Sequence, residues 1–264
     1  MTSKRLECPS FNFSFFLLTL LFFLNSSGTN ALKLGVKGDD NKYCIVLDSP
    51  TITGSIRYKE QTGGAFNTTA FTVSNSSASV VYNGTMESKC GKNLQQMTIE
   101  FVPLIAGLDP KQLDKKWKLT LLFNKTDTNR YALADYFLAV TFFAAQNASE
   151  VKHLYKKNGT AEWGAQLENE QSKYSNGYTC SENKLTLSDA SSLSFDYLKL
   201  VAFYNNDKAD FRDGQIYENC PMDVRTSDLV PIIVGALLAG LVIVVLIAYL
   251  IGRARAKRQG YTSV

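Results

Sequence analysis

Histidine is almost missing from this chain: His153 is the only one among 264 residues. A zincin H-E-x-x-H pair cannot be built from it, and neither G-x-S-x-G nor a Gly-rich phosphate loop ahead of a helix occurs. Cysteine comes without any C-x-x-C spacing, so zinc ribbons and thioredoxin-like redox motifs are excluded too. Proline is sparse, with six in all, and no proline-rich or low-complexity linker divides residues 32–228. Internal repeats are lacking as well. One domain without catalytic chemistry is therefore expected: not an enzyme, no cofactor and no metal. Two acidic groups could suggest a cation site, Asp39 with Asp40 and Asp207 with Asp210, Asp213 and Gly214. The second lacks the terminal acidic ligand of a calcium loop, so both read as solvated turns.

Long uncharged runs, by contrast, are present twice. Lys4 and Arg5 precede an apolar run from Phe13 to Leu24, the layout of a secretory signal peptide, with cleavage expected near Ala31. The second run, Leu229 to Ile251, carries no charge. As a helix it is ~33 Å long, matching a hydrocarbon core of ~30 Å. Asp228 stands before it, and Arg253, Arg255, Lys257 and Arg258 follow it. The positive-inside rule puts the basic side in the cytosol. The expected organisation is a signal peptide (1–31), an extracytosolic head (32–228), a transmembrane helix (229–251) and a cytosolic tail (252–264). The formal charge of +4 is then a matter of topology. Signal and tail carry the positive excess, the head is slightly acidic, and nucleic-acid binding has no support.

Cys8 leaves with the signal, so the mature head keeps an even set: Cys44, Cys90, Cys180 and Cys220. In an oxidising lumen these read as two disulfides. Three connectivities are open; the sequential pairing is preferred, each bridge stabilising by ~4 kcal/mol in the chain-entropy model. Six N-x-S/T sequons mark the head, at Asn67, Asn75, Asn83, Asn124, Asn147 and Asn158. Random order of the same residues gives roughly two to three. The excess indicates a glycosylated surface, and it places the stretch Gly63–Gly84 outside the core.

Periodicity in the head is mostly two. Trp117, Leu119, Leu121 and Phe123 alternate with Lys118 and Thr120, and Met97, Ile99 and Phe101 with Thr98 and Glu100. Further strands are expected at Tyr43–Leu47, Thr69–Val73, Ser79–Tyr82, Phe137–Phe142 and Lys184–Leu187. In Leu193–Ala202 the apolar parity shifts at Leu198, which predicts a bulge or a change of face. A short helix is allowed at Leu133–Phe143 or Gly164–Ser172. The fold class is all-β and antiparallel, plus one transmembrane helix.

The tail reads Gly260-Tyr261-Thr262-Ser263-Val264, a Y-x-x-Φ pattern beyond the only expected span. An extended segment of this kind can add to a sheet edge while Tyr261 and Val264 fill separate pockets. Gly260 lets the backbone approach closely. The same residues offer Thr262-x-Val264 with a carboxylate, which a PDZ-type domain could capture. Within the span, Gly235 with Ala239 and Ala236 with Gly240 are small-xxx-small pairs that would let a second helix pack closely, as in a homo-oligomer or with membrane-protein cargo.

Residues 229–264, with Pro231 at the luminal edge, the Gly/Ala-spaced helix, the basic stop and the terminal Gly-Tyr-x-x-Φ, resemble the transmembrane segment and tail of the lysosome-associated membrane glycoprotein (LAMP) family. Leu198–Cys220 resembles the last strands of that family's luminal domain, and Tyr178-Thr179-Cys180 the approach to its third cysteine. Gly54–Gly177 is similar mainly in cysteine placement and sequons. The resemblance implies a β-prism-like luminal domain with two sequential disulfides. It implies that Tyr261 and Val264 dock on the medium subunit of clathrin adaptor complexes, delivering the protein to late endosomes and lysosomes, with passage over the plasma membrane allowed. It departs from two-domain family members in showing one domain and no hinge. A structural and trafficking glycoprotein is the function expected, with a sorting chaperone or receptor for another membrane protein or ligand as the alternative.

Overall fold

The computed structural model describes residues 32–82, 87–108, 113–126, 129–167, 175–224 and 229–259, the side chains of 229–231 and 255–259 excepted. The signal region, Asn83 and Gly260–Val264 lie outside the described residues. The chain divides after Glu218 into two compact units.

The first unit consists of two antiparallel sheets. One has eight strands: β1 (Leu32–Lys37), β2 (Tyr43–Ser49), β3 (Thr51–Lys59), β4 (Phe66–Val73), β8 (Pro103–Leu104), β13 (Gly177–Thr186), β14 (Ser192–Asn206) and β15 (Tyr217–Asn219). The other has seven: β5 (Ser79–Val80), β6 (Lys89–Cys90), β7 (Leu94–Phe101), β9 (Trp117–Thr126), β10 (Arg130–Thr141), β11 (Lys152–Lys156) and β12 (Gly164–Gln166). The all-β reading holds.

In the eight-stranded sheet, β2 and β3 are one strand interrupted at Pro50. Asp48 pairs with Lys199 and Thr51 with Asp196, so β14 serves both halves along one edge while β13 takes its other edge. Proline fits the gap because it has no N–H to leave unpaired. Opposite it, Tyr197 turns to a φ of +47° and is exposed, while Phe195 and Leu198 on either side are buried. The parity shift expected at Leu198 is therefore present, and it coincides with the break between β2 and β3.

A similar rephasing accounts for a missed expectation. Residues 133–143 form strand β10 and its exit, not a helix. A bulge between Leu133 and Asp135 moves the buried positions from Tyr131 and Leu133 to Tyr136, Leu138 and Val140. The extra residue creates a spacing of three, which imitates helical periodicity. Gly164–Gln166 is a strand too; residues 168–172 lie outside the described residues.

The core lies where the two sheets face each other. Trp117 of β9 meets Phe71 of β4 edge-on, with ring centroids 4.9 Å apart, and donates its indole N–H to the Thr141 carbonyl at 2.9 Å. Trp163 packs edge-on against Phe195 of β14 at 4.8 Å. Both tryptophans are fully buried, and aromatic pairs of this kind add ~0.5–1.5 kcal/mol beyond area burial. Three tyrosines of the seven-stranded sheet donate to carbonyls on the far side: Tyr136 to Thr186 at 2.8 Å, Tyr155 to Arg57 at 2.9 Å and Tyr131 to Asn176 at 3.1 Å. Burial pushes all three phenols above their usual range, so they stay neutral donors.

Phe71 and Val73 belong to this core. Gly63–Gly84 is thus not wholly a surface segment as expected: β4 is exposed at its start, where Asn67 sits, and runs into the core at Phe71 and Val73, so a sequon speaks only for its own end of the strand.

The second unit is dominated by one helix, Leu229–Gln259, which continues past Ile251 through the basic residues.

Candidate functional site

In the head, a groove of about 660 Å3 runs along β1, Pro50 and the end of β4, and Lys33 is the only charged residue lining it. A second, about 380 Å3, holds Asp39 and Asp40 beside Cys44 and Cys90. Asp40 accepts the Lys42 N–H at 3.1 Å, a turn contact. In the other acidic group, Asp210 pairs with Lys33 at 2.8 Å and accepts the Phe211 N–H at 2.8 Å. The structure does not bring Asp207 and Asp213 into these contacts. Cation-binding geometry is thus replaced by turn chemistry and an ion pair.

Of the cysteines, Cys44 and Cys90 are joined, with an S–S distance of 1.98 Å. Cys180 and Cys220 are also disulfide-bonded, which removes the thiolates a metal would need.

The sequon asparagines within the described residues, Asn67, Asn75, Asn124, Asn147 and Asn158, are all exposed. The fold brings two of them to one turn. Asn67 Nδ2 donates to Glu60 Oε1 at 2.9 Å, and Asn147 Nδ2 donates to Thr62 Oγ1 at 3.1 Å. Asn75 lies in the Ser74–Ser77 turn on the rim of the 660 Å3 groove. Asn124 is on β9 and Asn158 follows β11.

Two polar constellations escaped the sequence. Glu218 accepts from Arg130 at 2.6 Å and from the Gln166 N–H at 2.6 Å, clamping β10 and β12. His153 stands between Glu150 and Asp189 at 3.0 and 3.1 Å. Partners so far apart in the chain leave no local signal; a lone histidine was the only mark.

The functional feature of the second unit is its helix. From Ile232 to Ala254 it is long and apolar enough to cross a membrane, and none of it is buried against protein. Leucine, isoleucine and valine are exposed all round it, an arrangement stable only where the surroundings are as apolar as the side chains. At 1.5 Å per residue it spans ~34 Å, enough for a ~30 Å hydrocarbon layer. Gly235, Ala236, Ala239 and Gly240 are exposed along it.

The family model described as "Lysosome-associated membrane glycoprotein 2, transmembrane segment" matches residues 230–262. Lysosome-associated membrane glycoprotein 1 of Gallus gallus is 41% identical over 90 residues, 34% of this chain and 20% of that protein. Its Bos taurus counterpart is 39% identical over 95 residues, 36% of this chain and 22% of that protein. The match thus spans about a fifth of the length of these relatives. The crystal structure of the membrane-proximal domain of mouse LAMP-1 superimposes with a TM-score of 0.52 at 20% identity, covering 74% of this chain and 99% of that one. Residues 230–262 are thus similar to the LAMP transmembrane segment, and the head shares the fold of a LAMP luminal domain. The LAMP relatives and the membrane-length helix fit a lysosomal single-pass membrane protein.

Proposed function

We propose that this chain is a structural and trafficking glycoprotein of the lysosomal and late endosomal limiting membrane, oriented with its head in the lumen. The observation that carries the reading is the helix Ile232–Ala254, apolar on every face, with Arg253, Arg255, Lys257 and Arg258 at one end only. The basic side faces the cytosol by the positive-inside rule, which presents residues 252–264 to cytosolic machinery. Tyr261 and Val264 then serve as the two anchors of a sorting signal, filling pockets on the medium subunit of a clathrin adaptor while the backbone adds to a sheet edge. Disulfides and glycans on the head would resist luminal hydrolases.

The test is fluorescence localisation of the full chain, tagged in the head, beside Tyr261→Ala. Wild type should concentrate in lysosomes and the variant should accumulate at the plasma membrane. Equal lysosomal distribution would sink the sorting assignment. Residues added after Val264 separate the rival capture by a PDZ-type domain, which they should abolish while only weakening tyrosine docking.

A further inference from the structure

The residue the chain has least of sits where its two sheets meet. His153 is on β11, at the margin of the seven-stranded sheet; Asp189 is in the turn joining β13 to β14 of the other. That turn is tied to β11 by main-chain contacts as well: Ser188 donates its N–H to the Lys156 carbonyl at 2.8 Å, and Lys157 bridges Leu187. The imidazole uses both nitrogens. Nδ1 lies 3.0 Å from Glu150 Oε1 and Nε2 lies 3.1 Å from Asp189 Oδ2.

A neutral imidazole has one N–H and one lone pair. In that form one of these two contacts sets a lone pair against a carboxylate oxygen and is repulsive. Only the imidazolium donates to both, each time through a charge-assisted bond. We propose that Glu150, His153 and Asp189 form an acid-closed clasp that locks the β13–β14 turn to β11 when the ring is protonated and releases it when the ring is neutral.

The surroundings support one direction of response. Tyr155, two residues along the same face of β11, packs against the ring at a tilt with centroids 4.4 Å apart, and burial, then Asp189 and Glu150, hold its phenol above the usual range. It remains neutral and cannot compete as a charge. On β10 the residue opposite His153 is Val140. Lys152 and Lys156 alternate to the other face of β11. Among the described residues neither Glu150 nor Asp189 has another ion-pair partner.

The turn itself needs an outside hold. Asp189 and Ala190 both have positive φ, +57° and +56°, and Ser191 N–H closes on the Ser188 carbonyl at 3.1 Å, which makes a type I′ hairpin turn. Such turns favour Asn-Gly; alanine in the left-handed region is strained. When closed, the clasp supplies a restraint that the turn's own residues lack.

Hydrogen exchange on the full chain in detergent micelles tests this, reading the Lys156 and Ser188 amides as protection factors, so that the intrinsic pH dependence of exchange cancels. Between pH 7.5 and pH 5.5 wild-type protection should rise about two- to fivefold, the range for partly exposed ion pairs. His153→Gln keeps a polar side chain without a titratable ring and should show no rise; Asp189→Asn should lose the rise while keeping the ring. A flat wild type, or a rise that survives in either variant, overturns the clasp.

Discussion

Ser49 shares its hydroxyl proton between the Asp196 carbonyl at 2.8 Å and the Thr51 carbonyl at 3.0 Å, across the break that divides β2 from β3. Ladder pairing resumes at Asp48 and at Thr51, so one serine, itself fully buried, satisfies two acceptors that the proline and the turned Tyr197 leave beside the gap. Sheet continuity here depends on a side chain where elsewhere it depends on backbone.

Ser49→Ala should therefore cost about 1–3 kcal/mol, the range for stranding buried polar groups. Urea unfolding of the full chain in detergent, followed by tryptophan fluorescence, should show a lower midpoint with an unchanged slope. A cost below about 0.5 kcal/mol would mean that water or a backbone shift replaces the hydroxyl.

Gly54 faces Phe71 across the β3–β4 ladder, and a Cβ built on it would penetrate the Phe71 ring. That ring is held by Trp117, so it cannot swing aside freely. Gly54→Ala should destabilise by about 1–3 kcal/mol through overpacking. Adding Phe71→Leu should cost less than the two changes summed, because the ring that meets the new methyl is gone. Strict additivity would show that the glycine is kept for another reason.

The Lys33–Asp210 pair has a defined pH window. The hydrogen bond from Lys33 holds the Asp210 carboxyl below the usual carboxylate range, and the bond to Asp210 raises the Lys33 ammonium above its usual value. A lowered acid contributes stability above its unfolded pKa of ~3.9 and loses it as pH falls through the folded value. A raised base contributes below ~10.4 and loses it as pH rises through its folded value. Both side chains are more than one-third exposed, so the pair is worth under about 1 kcal/mol and is screened by salt. Thermal melts of Asp210→Asn against wild type should differ by the same small amount at pH 7.5 and pH 5, converging only below about pH 3.9. Convergence already at pH 5 would contradict the pairing.

Much of the head was legible because a half-buried strand writes its period into the sequence. Trp117-x-Leu119-x-Leu121-x-Phe123 gave β9 directly, and all four side chains are buried. Pattern reading failed where the backbone inserts a residue. At Leu133–Tyr136 a bulge and a helical turn leave the same spacing, and only pairing with Phe123 and Leu122 of β9 shows which it is. The sequon at Asn67 spoke for the exposed start of β4 and was silent about Phe71, buried further along the strand.

The sequence by itself determined the span, because a lipid core asks only for length, apolarity and the absence of charge, all properties of consecutive residues. It likewise set much of the strand content. Tertiary structure alone decided which polar groups meet: Ser49 with Asp196, Glu218 with Arg130, His153 with Asp189. Those partners are brought together by strand order and the facing of two sheets, and contacts fixed by long-range pairing leave no trace in local periodicity.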